Sequence, residues 1–502
     1  RLATDALTSG LQRSTSLSVA PQPTTAGIDR GTSVDDVARR LALDRVITGE
    51  VNQAGDTVTV AVRLFDADGR RLWERTYEAT VPRALDAVDA AEAGVHSAID
   101  GGGARPSRAV SRIRTPSLQA YERYLEASTL HQGFDIEGNT AGAIERYREA
   151  LAADPDFAAA HAGLAMALVS DFHRTHDSRT KAAATEAAER ALRLDRELPE
   201  AWLASGMVAA EGGATVEARA AFDRALALAP GNDATCRNIA ELYAGLGRHR
   251  DAEAMFIRAI ELRPGFWRHH YDFGTFLFRL KGDIDAAERE FQTAASLHQG
   301  PAPLVLLGLV RLARSDLDGA ERYLRQAQEL SPLPATLYNL GLINYYRGQY
   351  DLALRNWSAV LESAPREPGY RAAVADALRQ MGRLDESKAH LTEALKDFRQ
   401  AIEDNQQDDE TRAEMAMALA ALGNCMEARE HLDAALARHP KSPLLSYYGA
   451  VTASRCGDDD RAARLIAGSI PSRDALGVRF DPDLERVRRR PDVRAALARK
   501  DR

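Results

Sequence analysis

A chain of 502 residues is too long for one compact core, so either several globular domains or a repeat array is expected. Abundant alanine, 6% aromatic and 27% charged residues of both signs fit long helices with solvated outer faces and argue against a β-rich protein. A net charge of -8 supplies no basic field for phosphate backbones, which sets nucleic acid aside as a partner of this region.

No apolar run approaches the roughly 18 residues needed to span a bilayer, so no membrane insertion is expected from this stretch. No signal peptide is visible either, and a start at Arg1 without methionine reads as a fragment with further segments upstream.

Residues 1–100 differ from the rest. Val46-Ile47-Thr48-Gly49-Glu50-Val51, Thr57-Val58-Thr59-Val60-Ala61-Val62-Arg63-Leu64 and Arg71-Leu72-Trp73-Glu74-Arg75-Thr76-Tyr77 are β-branched or alternating runs. Turn residues around Gly55 and Gly69 separate them, so three antiparallel strands joined by hairpins are predicted. Ala3 to Leu11, Ser33 to Leu43 and Pro82 to Ile99 carry helical apolar spacing, with Ser33 as an N-cap. A small α/β domain follows from this pattern.

Ser33-Val34-Asp35-Asp36-Val37-Ala38-Arg39-Arg40-Leu41 leading into Val46 to Val51, then Leu64-Phe65-Asp66 and Leu72 to Tyr77, resembles the TolB amino-terminal-like (FlgO-like) domain of bacterial signalling proteins. The resemblance implies a further strand ahead of Arg1, and hence a domain truncated at its start. Residues 101–116, beginning Gly101-Gly102-Gly103, have the composition of a flexible linker. No strand leads directly into those glycines and no Gly-Lys-Ser/Thr follows, so they do not read as a phosphate cradle. Arg105, Arg108, Arg112 and Arg114 read as a solvated run.

From about Ser117 the dominant signal is self-similarity at a period of 34. Ala218 to Ala252, Phe222 to Phe256, Ala225 to Ala259 and Pro230 to Pro264 are each separated by that interval. Small residues let two helices approach, a bulky residue fills the gap and proline stops the second helix. Further units carry Gly274, Ala287 and Phe291; Gly308, Ala320 and Leu324; Gly341, Ala353 and Trp357; Leu378, Leu391 and Ala394; Ala428, Leu432 and Ala435; and a last pair around Gly449 and Ala462. The pattern resembles the tetratricopeptide repeat (TPR), which implies a mainly α fold: an α-α superhelix of about ten helix pairs over 117–476, after the small α/β domain. The eighth unit has a prolonged second helix from Leu384 to about Glu403, and 477–502 reads as a capping helix and tail with a polar outer face.

Little here points to chemistry. His173-Arg174-Thr175-His176 lacks the spacing of helical zinc ligands and a third ligand, and His269 and His270 point to different faces of one helix. Acidic residues recur at surface helical positions, and no nucleophile elbow, kinase signature or Walker loop is present. No catalytic residue, metal or cofactor is expected, and the chain reads as non-enzymatic.

The TPR resemblance implies that the first helix of each pair lines a concave groove. Counting from Asp233, Trp267 and Pro334 puts Arg237, Glu241, Arg268, Tyr271, Thr275, Phe278, Tyr338, Leu342 and Tyr345 on that surface. They suit an extended protein or peptide ligand with an apolar or aromatic anchor. The aromatics among them also suit plain packing between repeats. The family's carboxylate clamp needs lysine, asparagine and arginine at set groove positions, and here position 9 holds Glu241, Thr275 and Leu342, which disfavours that clamp.

Cys425 and Cys456 fall near inter-helix turns on one rim; separate thiols are expected, with a disulfide open to them in an extracytoplasmic setting. A TolB-like domain, a short linker and a long TPR array together resemble the C-terminal region of bacterial membrane-associated signalling proteins. The resemblance implies a sensory or scaffolding region that regulates an upstream serine/threonine kinase. The same region of a nucleotide cyclase or a winged-helix regulator is one alternative, and a free-standing scaffold for envelope assembly is another.

Overall fold

The computed structural model describes residues 33–41, 43–80, 84–99, 115–175, 177–404, 408–440, 442–469 and 475–498. The expected helix Ala3 to Leu11, the glycine-rich joint with its arginines, and His176 lie outside them. The chain divides into two compact units, one of residues 1–281 and 293–299, the other of 282–292 and 300–502.

The described residues of the first unit begin with helix Val34–Leu41 and a meander of three antiparallel strands, β1 (Arg45–Ala54), β2 (Thr57–Asp66) and β3 (Arg71–Thr80). Gly55 and Gly69 take the left-handed backbone that these hairpin turns require (φ 61° and 76°). Alternation along β2 buries Val58, Val60, Val62 and Leu64 on one face. Helix Ala84–Ile99 packs on the sheet with Ala87, Ala91 and Val95 buried. Gly94 permits the close approach, since a Cβ there would lie 1.8 Å from the Tyr77 hydroxyl oxygen.

From Leu118 onward the described residues form ten helix pairs, from Leu118–Gln132 with Asn139–Ala153 to Pro443–Arg455 with Asp459–Ser469. Thr115, at the end of the expected linker, is already buried and donates a hydrogen bond to Asp154 at 2.5 Å. The 34-residue spacing has a direct packing cause. Ala218, Ala225, Ala252 and Ala259 are fully buried, and Phe222 and Phe256 nearly so. Gly206 and Gly341 sit where a methyl group would meet the Phe222 ring at 2.3 Å and the Trp357 indole at 2.4 Å. Gly206→Ala is therefore expected to cost about 1–3 kcal/mol through overpacking, read as a lowered urea midpoint. Gly245→Ala, whose added methyl would meet nothing within 4 Å, should leave that midpoint unchanged or raise it.

In the second unit the prolonged helix is present as Leu384–Asp404. Residues 475–498 form three short helices and a 3-10 turn. Val478, Leu484, Val487 and Val493 join Ala450, Val451, Ala462, Ala463 and Ile466 in one apolar cluster that covers the last repeat.

The expectation of separate thiols is corrected: Cys425 and Cys456 are disulfide-bonded, with a sequence separation of 31. Cys425 starts one second helix and Cys456 caps the first helix of the next repeat, so consecutive repeats meet at that rim. Cys236 is buried and free. Reduction is expected to release two further thiols and, by the loop-closure argument, to destabilise the fold by about 3–4 kcal/mol. A thiol titration and denaturant melts with and without reductant check both parts.

Candidate functional site

Four first helices of the second unit, Pro334–Tyr346, Pro368–Gln380, Asp409–Ala421 and Pro443–Arg455, line a cavity of about 290 Å³, together with Trp357, Leu391 and Phe398 of second helices. All three residues predicted on this face, Tyr338, Leu342 and Tyr345, line it. The rings pack closely: Tyr345 lies 5.4 Å from Trp357, and Tyr338 5.5 Å from Tyr370. The Trp357 indole nitrogen donates to the Tyr338 carbonyl at 3.0 Å. These aromatics pack between repeats and face the cavity at once, so the two readings open from the sequence are not exclusive.

Gly477 of helix Ala475–Phe480 and Asp481 just after it form part of the cavity wall. Phe480 lies 6.3 Å from Tyr346, and Tyr447 donates its hydroxyl to Asp481 at 2.6 Å. Asp483 accepts from Arg379 (2.6 Å), Arg455 (2.7 Å) and Gln380 (3.2 Å). Arg455 also donates to Asp376 at 2.7 Å and to the Met417 carbonyl at 3.0 Å. Burial pushes the Asp483 carboxyl up, but the guanidinium groups of Arg455 and Arg379 outweigh it and hold it below the usual carboxylate range.

Glu414 stands apart from this network. Its carboxylate faces the cavity and accepts from the Tyr448 hydroxyl at 3.2 Å, and no ion pair reaches it among the described residues. Burial, then the nearby Glu410 carboxylate, raise its pKa to about 8.

The first unit holds Arg237, Glu241, Arg268, Tyr271, Thr275 and Phe278. Arg237 is buried and ion-paired to Glu241 at 2.8 Å and to Asp272 at 3.1 Å. Arg268 reaches Asp272 at 3.4 Å. The loop between helices Leu118–Gln132 and Asn139–Ala153 fills the space beside them. Phe134 stacks on Trp267 (5.6 Å) and meets Tyr271 edge-on (6.3 Å), with the Arg268 guanidinium over the Phe134 ring at 4.3 Å from its centre. Asp135 is buried against His298 at 2.9 Å. Arg268 and Tyr271 are thus occupied by the chain's own residues. Thr275 donates back to the Tyr271 carbonyl at 2.8 Å. The α-helix ends at Phe276 and widens to a π-helix over Leu277–Lys281, so the 3.6-residue count that selected Phe278 does not carry past that point.

His269 and His270 diverge as expected, to Asp233 (2.8 Å) and to the Pro264 carbonyl (2.9 Å). Sequence reasoning missed Phe134, Asp135, Asp376, Glu414, Arg455 and the segment Phe480–Asp483. One shared signal was available: both inserted segments carry Phe followed by Asp, yet they sit at different places relative to the repeat and no period links them.

Tetratricopeptide repeat families match residues 333–407, residues 209–272, and residues 137–171, 177–233 and 413–473. No curated protein matches the chain. Among solved structures it is similar to the APC/C hetero-tetramer Cut9-Hcn1, at 20% identity and a TM-score of 0.46, over 60% of this chain and 56% of that one. It is also similar to the human IFIT1 dimer with PPP-AAAA (16%, TM-score 0.42, 71% and 79% covered). A third is YrrB, a TPR protein with an unusual peptide-binding site (20%, TM-score 0.28, 35% and 91%). The chain spans little more than half the length of the first of these.

Proposed function

Because the chain carries tetratricopeptide repeats, we propose that it is a non-catalytic scaffold whose second unit grips an extended protein segment along its first helices. The observation that carries this reading is the cavity where Tyr338, Leu342 and Tyr345 meet the side chains of three further first helices. Aromatic anchors in a partly desolvated pocket are what peptide recognition uses. Carboxylates at Asp376, Glu414 and Asp481 on its lining favour a protein partner over a phosphate backbone. No helix among the described residues is long and apolar enough to cross a membrane.

The finer reading is that this is the sensory or scaffold region of a bacterial signalling protein, regulating a serine/threonine kinase upstream. It rests on the TolB-like resemblance of residues 33–77 and on the order of domain, linker and array. The Cys425–Cys456 bond favours an oxidising compartment for the second unit, which suits an extracytoplasmic sensor and equally an envelope scaffold. The coding sequence ahead of Arg1 separates them: a transmembrane helix with a kinase catalytic loop supports the first, a lone signal peptide the second.

The binding claim is tested by selecting a displayed random-peptide library on the full chain and re-measuring the winners on Leu342→Arg, with Tyr338→Ala as a second variant. Winners should bind the variants at least about tenfold more weakly, a loss of about 1.4 kcal/mol. Equal binding to the variants, or no enriched peptide, removes the groove.

A further inference from the structure

Resting on the peptide-scaffold reading, we propose that the cavity around Glu414 is a pocket for a lysine or arginine side chain of the bound segment. Asp376 and Asp483 are neutralised by Arg379 and Arg455, while Asp481 accepts from the Tyr447 hydroxyl and the Asp483 backbone N–H. Glu414 has only the Tyr448 hydroxyl among the described contacts, and Glu410, Glu367 and Asp408 add further negative charge around it. Such surroundings disfavour the ionised form of Glu414, and a cation brought in by a ligand stabilises that form as no basic side chain of the described residues does.

The walls agree with that chemistry. Tyr338, Tyr345, Trp357, Tyr447 and Tyr448 line the same cavity, and aromatic faces attract ammonium and guanidinium groups. The carboxylate is set between successive repeats: Tyr448 bonds it from the following first helix, and on the preceding one Gly369 leaves room for it, since a Cβ there would lie 3.3 Å from Glu414 Oε2. A volume of about 290 Å³ lies at the lower edge of the range for small-molecule sites and suits a single long side chain. The lining of Leu342, Leu391, Phe398 and Val451 matches the methylene stem that carries such a charge.

The test titrates the full chain with Nα-acetyl-lysine amide, Nα-acetyl-arginine amide, the uncharged Nα-acetyl-norleucine amide and spermidine, by isothermal titration. Saturable binding of the lysine or arginine amide, weakened at least tenfold in Glu414→Gln and absent for norleucine, is expected. Tyr448→Phe, which keeps the carboxylate and removes its hydroxyl partner, should bind at least as well as the wild type. Overturning results are no saturable binding of either cationic amide, equal binding by Glu414→Gln, or spermidine preferred over both amides with the same Glu414 dependence. The scaffold reading fails separately. Library winners that need Leu342 but bind Glu414→Gln unchanged sink the pocket alone, whereas Glu414-dependent binding of the amides with no enriched peptide sinks the groove and keeps the cation site.

Discussion

Arg455→Met is expected to destabilise the second unit by about 3–5 kcal/mol, the range for removing one partner from a buried ion network. The Arg455 side chain is only 7% exposed and bridges Asp376, Asp483 and the Met417 carbonyl. Without it two carboxylates, Asp483 nearly buried and Asp376 partly so, are left with Arg379 as their shared cation. The fitting control is Arg489→Met, since Arg489 is 77% exposed and, among the described residues, pairs with Glu485 one turn away. Exposed pairs of that kind contribute less than about 1 kcal/mol. Denaturant melts of both variants decide the matter: equal losses would mean that the network contributes no more than a surface pair. The pH response has a definite sign. Asp483 is held below the usual carboxylate range in the folded chain, so its stabilisation is present above the unfolded carboxylate pKa and is lost as pH falls through the lower folded one. Acid unfolding of Arg455→Met should therefore begin at a higher pH than that of the wild type.

Glu414→Gln should have the opposite effect and make the protein more stable in alkali. The Glu414 pKa is raised to about 8 in the folded chain, chiefly by burial and then by Glu410. A carboxyl whose folded pKa exceeds its unfolded one binds more protons when folded, so stability falls as pH climbs between the two values. The wild type should lose stability from about pH 4.5 to about pH 8, and the amide variant should not. Partial access from the cavity reduces the ideal figure, leaving a difference on the order of 3 kcal/mol above pH 8 and almost none near pH 5. Thermal melts of both proteins across that range check this. Superimposable curves would mean that Glu414 is already compensated and would remove the basis for the cation pocket.

The ten helix pairs and the three-stranded meander were legible in the sequence because each depends on local rules. The spacing of Ala218, Phe222 and Ala225 reports a contact between neighbouring helices, and the alternation of Val58, Val60, Val62 and Leu64 reports one buried sheet face. Counting within a repeat also brought Tyr338, Leu342 and Tyr345 to one cavity, since position along a regular helix determines facing. The same count lapsed at Phe278, where the backbone turns π-helical. What only the tertiary structure decided is which distant segments come to lie against those helices. Phe134 reaches Trp267 and Tyr271, Asp483 reaches Arg379, and Cys456 bonds Cys425, contacts between residues 31 to 137 positions apart with no period to announce them. Helical periodicity is enforced at each turn by neighbours three and four residues away, whereas a loop or tail is placed by the one surface that best buries its ring and pairs its charge, and that surface exists only once the repeats have stacked.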